Sequence, residues 1–327
     1  MQPGKLPNEL LADIIFSNIR IKRDEVLVFP KVGVDCGVID FGENVCVIST
    51  DPITGTTSDI GWLGVHVACN DVIAAGVEPL GLMLTIMAPP GTTETDLYDI
   101  MSQADKASTE LNVDIVGGHT EITNAVTRTV LSTTAIGKAQ KSKVMSMLTA
   151  QNGDYVIMTK TAGLEGTAII ARDKETELKE VIDPEIIKRA KNMINDISVL
   201  KEGEIAANIG VHRMHDATEG GVLGALWEIA ESSGLGIEVY GDRMPVTEET
   251  KAICDHLNIN PLRLISSGCL LIATPDKKEL LSELKKAGIK ATVVGRMIKK
   301  GRYIKNGTVR FPLEPPKADE LYKIIST

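Results

Sequence analysis

Four acidic positions in the first part of the chain have the types and spacing to hold a hard cation. Asp35 follows Val32-Gly33-Val34, and Asp51 ends the run Val45-Cys46-Val47-Ile48-Ser49-Thr50. Gly117-Gly118-His119-Thr120-Glu121 reads as an acidic turn after Val113-Asp114-Ile115-Val116, and Asp71 stands shortly before Ala74-Ala75-Gly76. Brought to one pole of a fold, these groups suit Mg²⁺ carrying a polyphosphate, because hard divalent cations take oxygen ligands.

Aspartates also end strands as turn formers and helix caps, which would account for Asp35 or Asp51 taken alone. Asp71 resists that reading. On a helix predicted from Asp59 to Ala75, the apolar stripe runs Ile60, Leu63, Val67 and Ala74, and the position four after Val67 lies on the same stripe. A carboxylate there loses hydration and requires a partner, hydrogen bonds or a cation.

The elements that must position these groups follow from composition and periodicity. The chain has 327 residues, 43% hydrophobic and only 3% aromatic, so Leu, Ile, Val, Ala and Met must fill a core sized for two domains. A net charge of −9 argues against a general nucleic-acid binder, which needs a basic face for phosphates. Cys36, Cys46, Cys69, Cys254 and Cys269 form no CxxC pair and read as reduced thiols in a cytoplasmic protein. Met1 to Phe29 carries charges throughout, unlike a secretory signal, and no stretch approaches the ~20 apolar residues of a membrane span.

Helices are predicted at Asn8 to Asn18, with Leu11, Ile14 and Ile15 on one face, and at Thr93 to Leu111, with Leu97, Ile100, Met101, Ala104 and Leu111 inward. Thr93 and Asp96 form a capping pattern at the start of the latter. Strands are predicted at Val45–Ser49, Leu80–Met87, Ile115–Val116 and Thr127–Ile136. Polar, basic sequence between Gly137 and Gly153 marks a boundary, giving domains at 1–140 and 151–327. The second domain restarts with strands at Tyr155–Thr159, Gly236–Tyr240, Leu270–Ala273 and Ala291–Val294, and helices after Pro184 and from Lys277 to Lys286. Mixed elements in both halves predict two α/β (α+β) domains.

A second candidate site is His215-Asp216-Ala217-Thr218-Glu219-Gly220-Gly221, which precedes a helix with the stripe Val222, Leu226, Ile229 and Ala230. Gly220 and Gly221 at a helix start would offer backbone N–H groups to an anion. A capped helix, with Thr218 or Asp216 as the cap, is the structural alternative.

The order of these pieces, "GVDCGVI", "STDPIT", "SDIGWLGVHVACNDVIAAGVEPLG", "IVGGHTEIT", "HDATEGGVLGALWEIAESSG" and "NPLRLISSG", resembles the superfamily of aminoimidazole ribonucleotide synthetase (PurM) and the hydrogenase-maturation protein HypE. Selenophosphate synthetase and thiamine-monophosphate kinase are more distant members. The stretch "DISVLKEGEIAANIGVHRMHDATEGG" is especially similar to HypE. The resemblance implies two domains, the first pairing with its copy in a homodimer through a β-barrel-like sheet, with an ATP site along the domain cleft. It also implies that Asp35, Asp51 and Asp71 match metal and phosphate positions, with Asn70 completing an Asn-Asp pair.

On that basis Asp71 and His119 are the catalytic candidates, and Asp35, Asp51, Asp71 and Glu121 the metal ligands. Asp35, Asp51, Asn70, Gly117, Gly118, Thr120, Asp216, Thr218, Gly220 and Gly221 line the ATP cleft. His119 stands where the family's Gly-Gly motif usually carries Asp or Glu. Either Glu121 takes the metal contact, or His119 donates to a phosphate or carries a proton. HypE itself ends in a tail with a terminal cysteine, whereas this chain ends Lys323-Ile324-Ile325-Ser326-Thr327 and its last cysteine is Cys269. Cys36 reads as a core residue rather than a replacement nucleophile, and Lys5 and Lys160 as surface lysines.

The sequence therefore predicts an ATP- and Mg²⁺-dependent enzyme that activates a carbonyl, amide or similar oxygen by phosphorylation, on a small-molecule or protein-borne acceptor. The alternatives are a HypE-type maturation factor using a partner's thiol, or a nucleotide-binding regulatory dimer without turnover.

Overall fold

The computed structural model describes residues 4–325; the chain end at Ser326-Thr327 lies outside the described residues. The first sheet has six strands, β1 (Val26–Val28), β2 (Gly37–Phe41), β3 (Asn44–Ile53), β4 (Pro79–Ala88), β5 (Asp114–Ile122) and β6 (Val130–Gln140), in the order β1-β2-β3-β6-β4-β5. All neighbours are antiparallel except β4 and β5, which run parallel.

The Ile60–Ala74 helix packs across β3 and β6, beside the Glu94–Leu111 helix. Sequence periodicity placed a single stripe on the first of these, yet every one of its residues is buried, because the second domain covers its other face. The Glu94–Leu111 helix is opened by Thr93 and Asp96, each bonding the other's backbone N–H, as predicted. Met101 departs from its expected inward position and is 38% exposed. The segment predicted as a helix at Asn8 to Asn18 is one helical turn, Asn8–Leu10, continued by π and 3-10 turns, with no buried residue.

The face of the first sheet away from its helices is open, with Leu80, Met83 and Val116 exposed at 60%, 46% and 63%. Gly117 to Glu121, expected as a turn, lies within the extended edge strand β5. Gly118 explains the motif's glycine: a Cβ there would come within 2.0 Å of the Leu84 carbonyl oxygen on β4.

The second sheet has seven strands: β7 (Tyr155–Thr159), β8 (Arg213–Asp216), β9 (Gly236–Tyr240), β10 (Leu270–Thr274), β11 (Ala291–Ile298), β12 (Arg302–Asn306) and β13 (Val309–Pro312). Their order is β13-β12-β9-β11-β7-β10-β8. Alternate residues of β7 and β10 enter different cores. Val156, Met158 and Leu271 pack with the Gly221–Ser232 helix, whereas Ile157, Leu270 and Ile272 join helical residues on the opposite side. Burial on both faces is why these strands read as continuous apolar runs.

The opposite core runs without a break from Val47 and Leu63 in the first half to Ile170 and Leu284 in the second. Polar clamps fix the two halves further. The Asn70 side chain donates to the Ile197 carbonyl and accepts from the Val199 N–H, both at 2.9 Å. The buried Arg213 guanidinium donates to the Gly33 carbonyl at 2.6 Å. Replacing Asn70 by Ala strands a buried carbonyl and a buried N–H, so Asn70→Ala is expected to cost ~2–4 kcal/mol of stability. Urea titration checks this, and a loss below ~0.5 kcal/mol would show that the clamp does not hold the halves together.

Candidate functional site

Asp71 projects from the buried Ile60–Ala74 helix toward β3, where Ser49 Oγ donates to its Oδ2 at 2.5 Å. Asp51, two residues beyond Ser49 on the same strand, faces the same side, since side chains alternate along a strand. Asp35 ends the loop that Arg213 pins through Gly33, and Cys36 Sγ donates to the Asp71 carbonyl at 3.2 Å. From the second domain, β8 delivers His215 and Asp216, both fully enclosed. The sequence thus brings three carboxylates from the first domain to a fourth from the second.

Their environments differ sharply. His215 lies between two carboxylates, with Nδ1 2.7 Å from Asp35 Oδ2 and Nε2 3.1 Å from Glu228 Oε2. Burial disfavours its charge, but Asp35 and Glu228 outweigh that and raise it to about 10, so it stands as an imidazolium. Burial alone would raise Asp35, yet His215, Lys5 and Arg213 hold it well below the usual carboxylate range. Lys5 reaches Glu228 Oε1 at 3.2 Å, and there too Glu228 and Asp35 overcome the burial that opposes its charge.

At the other three carboxylates the opposing partners, Lys5 near Asp51, His215 near Asp216 and the Ser49 hydroxyl on Asp71, do not overcome burial. Burial and then the neighbouring Asp51, Asp216 and Asp35 charges push Asp71 far up. Burial and then Asp35 raise Asp216 to about 7, and burial also raises Asp51. Both Asp216 oxygens are buried without a hydrogen-bond partner among the described residues. Orphaned, acceptor-only oxygens in an all-oxygen set fit a divalent cation, which would replace the shared protons with charge. Asp35, His215 and Asp216 have ligand atoms within 4.8 Å of one another. His215 offers a metal no free lone pair while it stands as an imidazolium between Asp35 and Glu228. The fitting set is Asp35, Asp51, Asp71 and Asp216.

A cavity of about 640 Å³ opens against this cluster, lined by Asp35, Asp51, Asp71 and Thr218 together with the cations Lys5, Lys31 and Arg128. Lys5 therefore belongs to the cleft. Lys160 does not: it pairs with Glu202 at 2.7 Å and donates to the Gly268 carbonyl at 3.0 Å. Cys36 is buried, and burial followed by Asp71 raises its thiol far up, so it is no nucleophile.

Other expected positions lie elsewhere. Asn70 is committed to its clamp. The Gly220 N–H donates to Asp319 Oδ2 at 2.7 Å and the Gly221 N–H to the Thr218 carbonyl at 3.1 Å, so neither is turned to an anion. Neither Asp216 nor Thr218 caps the helix, whose N-cap is Gly220 at φ 86°. On β5, register pairs Thr85 with His119 and Met87 with Glu121, aiming both side chains out of the open face, whereas Gly118 and Thr120 pair with core-facing Leu84 and Ile86. His119 Nε2 and Glu121 Oε2 are 3.2 Å apart and solvent-exposed. Asp51, Thr133, Leu84 and Gly118 occupy one row, three strands across, or roughly 14 Å at ~4.8 Å per strand. Within one chain, then, Glu121 and His119 do not join the Asp51 cluster, and Gly117 stays with them on the edge strand.

The fold and site define a two-domain α/β protein with a carboxylate cluster at the junction of its domains. Residues 33–139 match the model of the AIR synthase related protein N-terminal domain, and residues 151–305 match that of its C-terminal domain. The chain belongs to the AIR synthase related protein family. A Methanocaldococcus jannaschii protein, whose name assigns it provisionally to hydrogenase expression and formation, is 30% identical over 98% of this chain and 97% of its own. Carbamoyl dehydratase HypE of Cupriavidus necator is 28% identical over 81% of this chain and 76% of its own. A crystal structure of hydrogenase maturation protein HypE in complex with ATP shares the fold, with a TM-score of 0.72 at 22% identity, covering 96% of this chain and 95% of that one.

Since burial lifts Asp216 from 3.8 to about 7, the folded protein keeps a proton that the unfolded chain has lost. This group's contribution to stability therefore falls as pH rises from about 4 toward 7. Asp216→Asn removes that loss and is expected to raise the melting temperature of the metal-free protein by a few degrees at pH 7.5, with little effect at pH 4.5. Thermal melts of both proteins across that range check it; equal destabilisation at both pH values would contradict it.

Proposed function

We propose that the protein is an ATP- and Mg²⁺-dependent enzyme that phosphorylates a carbonyl, amide or similar oxygen of its acceptor. The observation that carries this reading is a set of carboxylates raised in pKa, buried Asp71 and Asp216 and half-buried Asp51, of which Asp51 and Asp71 line a cavity that also holds Lys5, Lys31 and Arg128. Acid on one side and base on the other suits a polyphosphate held through a divalent cation. The cation, when bound, would neutralise charge on the phosphate oxygens.

The chain's own residues supply the rest. Asp35 is kept ionised by His215 and available to hold the cation, and Ser49 fixes the Asp71 carboxylate in one orientation. Lys5 and Arg128 stand where they attract a triphosphate from solvent. The domain junction encloses Asp71 and Asp216 and so strengthens the electrostatic contacts made there.

The family relationship to carbamoyl dehydratase HypE supports a second reading, a maturation factor acting on a partner's thiol. Cys36, Cys69, Cys254 and Cys269 are buried, and Cys46 is half-buried on β3 outside the lining of the cleft, so on this reading the thiol comes from a partner. A regulatory nucleotide-binding dimer keeps the same site without turnover. We further propose that Leu80, Met83 and Val116 pair with a second copy of the chain, since an open apolar sheet face marks an interaction surface.

Calorimetric titration with a non-hydrolysable ATP analogue is expected to show binding that requires Mg²⁺ and weakens at least tenfold in Asp71→Asn. Tight binding without Mg²⁺, or an unchanged affinity in the variant, would overturn the carboxylate assignment.

A further inference from the structure

Beyond the carboxylate cluster the cleft narrows into an annex of about 50 Å³, lined by Thr54, Glu165, Glu219, Asp319 and Tyr322. Two of its acids are already satisfied. Asp319 accepts the N–H groups of Gly220, Ile265 and Leu321 at 2.7, 3.1 and 2.8 Å. Glu219 accepts the Lys5 N–H at 2.8 Å and the Tyr322 hydroxyl at 2.6 Å.

Glu165 is different. It sits in the first turn of the Leu164–Asp173 helix, 4% exposed, and lines both the cleft and the annex. Its Oε2 has no hydrogen-bond partner among the described residues, and neither does Oγ of the neighbouring Ser267, which is 1% exposed. The charged groups that act on Glu165 are Asp319, Glu219 and Asp216, all acidic. Burial, with those charges and against the nearby Ser267 hydroxyl, which favours the charged form, lifts its carboxyl to about 7. A buried acceptor facing an acid-lined space lacks N–H donors and positive charge.

We propose that the annex is the acceptor subsite of the cleft, where Glu165 receives N–H bonds from a small organic cation, an ammonium or amidinium head. The apolar side chains of Ile53, Ile265 and Leu321 form walls suited to a flat head group. Ser267 Oγ offers it a second acceptor. Mg²⁺ fits the annex poorly, because it demands six near-ideal oxygen ligands and the Asp319 and Glu219 carboxylates are already hydrogen-bonded. An anionic acceptor is repelled by all three acids. The subsite rests on the nucleotide reading of the adjoining carboxylates, since it takes the acceptor to lie beside ATP.

The test is calorimetric titration of the full chain, saturated with Mg²⁺ and a non-hydrolysable ATP analogue, using acetamidinium and its isostere acetate. Acetamidinium is expected to bind and acetate not. Glu165→Gln should weaken acetamidinium at least tenfold with the Mg²⁺-analogue affinity unchanged, and Ser267→Ala should weaken it severalfold. Acetate binding as well as acetamidinium, no acetamidinium binding by the wild type, an unchanged affinity in both variants, or displacement of acetamidinium by excess Mg²⁺ would each overturn the subsite. Failure of the wild type to bind the Mg²⁺-analogue pair would instead strike the nucleotide reading itself.

Discussion

The structure turns on one electrostatic constraint, which is that Asp35, Asp51, Asp71 and Asp216 are drawn together in a place too dry for all of them to ionise. The cations the chain supplies, His215, Lys5 and Arg213, act chiefly on Asp35. Asp51, Asp71 and Asp216 are left to share protons or to take an external cation. On the proposed function, the stability given up to this repulsion is recovered when a cation binds.

Everything else serves to hold the cluster against its own repulsion. The Ile60–Ala74 helix can carry Asp71 inward because it is enclosed on all sides, and the unbroken core ties the two halves so that β8 can deliver Asp216 from the opposite side. Asn70 spends its amide on that joint, one residue from the carboxylate it helps to place. Arg213 does the same for Asp35 through Gly33, which tolerates no side chain, since a Cβ would meet the Glu228 carbonyl at 2.6 Å.

Asp71 was legible because helical periodicity placed a carboxylate among apolar residues, and such a conflict between local pattern and burial survives in the sequence. The two-domain α/β architecture and most strand positions were legible because apolar runs bounded by turn residues agree with their burial. The turn expected at Gly117 to Glu121 is an edge strand instead, because a Gly-Gly pair reads as a turn whereas here Gly118 lets the strand approach Leu84. The site's far wall was less legible. Arg213-Met214-His215-Asp216 is a buried strand of mainly polar residues, which no alternation rule finds. Glu165 reads as an ordinary acidic residue in the first turn of a helix, and only tertiary packing reveals that it is enclosed. Lys5 looks like a surface lysine until the segment that carries it is laid against Glu219 and Glu228.

Proton release on cation binding tests the central claim most directly. If buried carboxylates hold protons until a divalent cation replaces them, titration of Mg²⁺ with a non-hydrolysable ATP analogue at pH 7 will release protons, seen as a dependence of the apparent enthalpy on the buffer's ionisation enthalpy. The account predicts net release in the wild type and a smaller one in Asp216→Asn. Binding with no proton release, or with the same release in the variant, would contradict it and place the cation elsewhere.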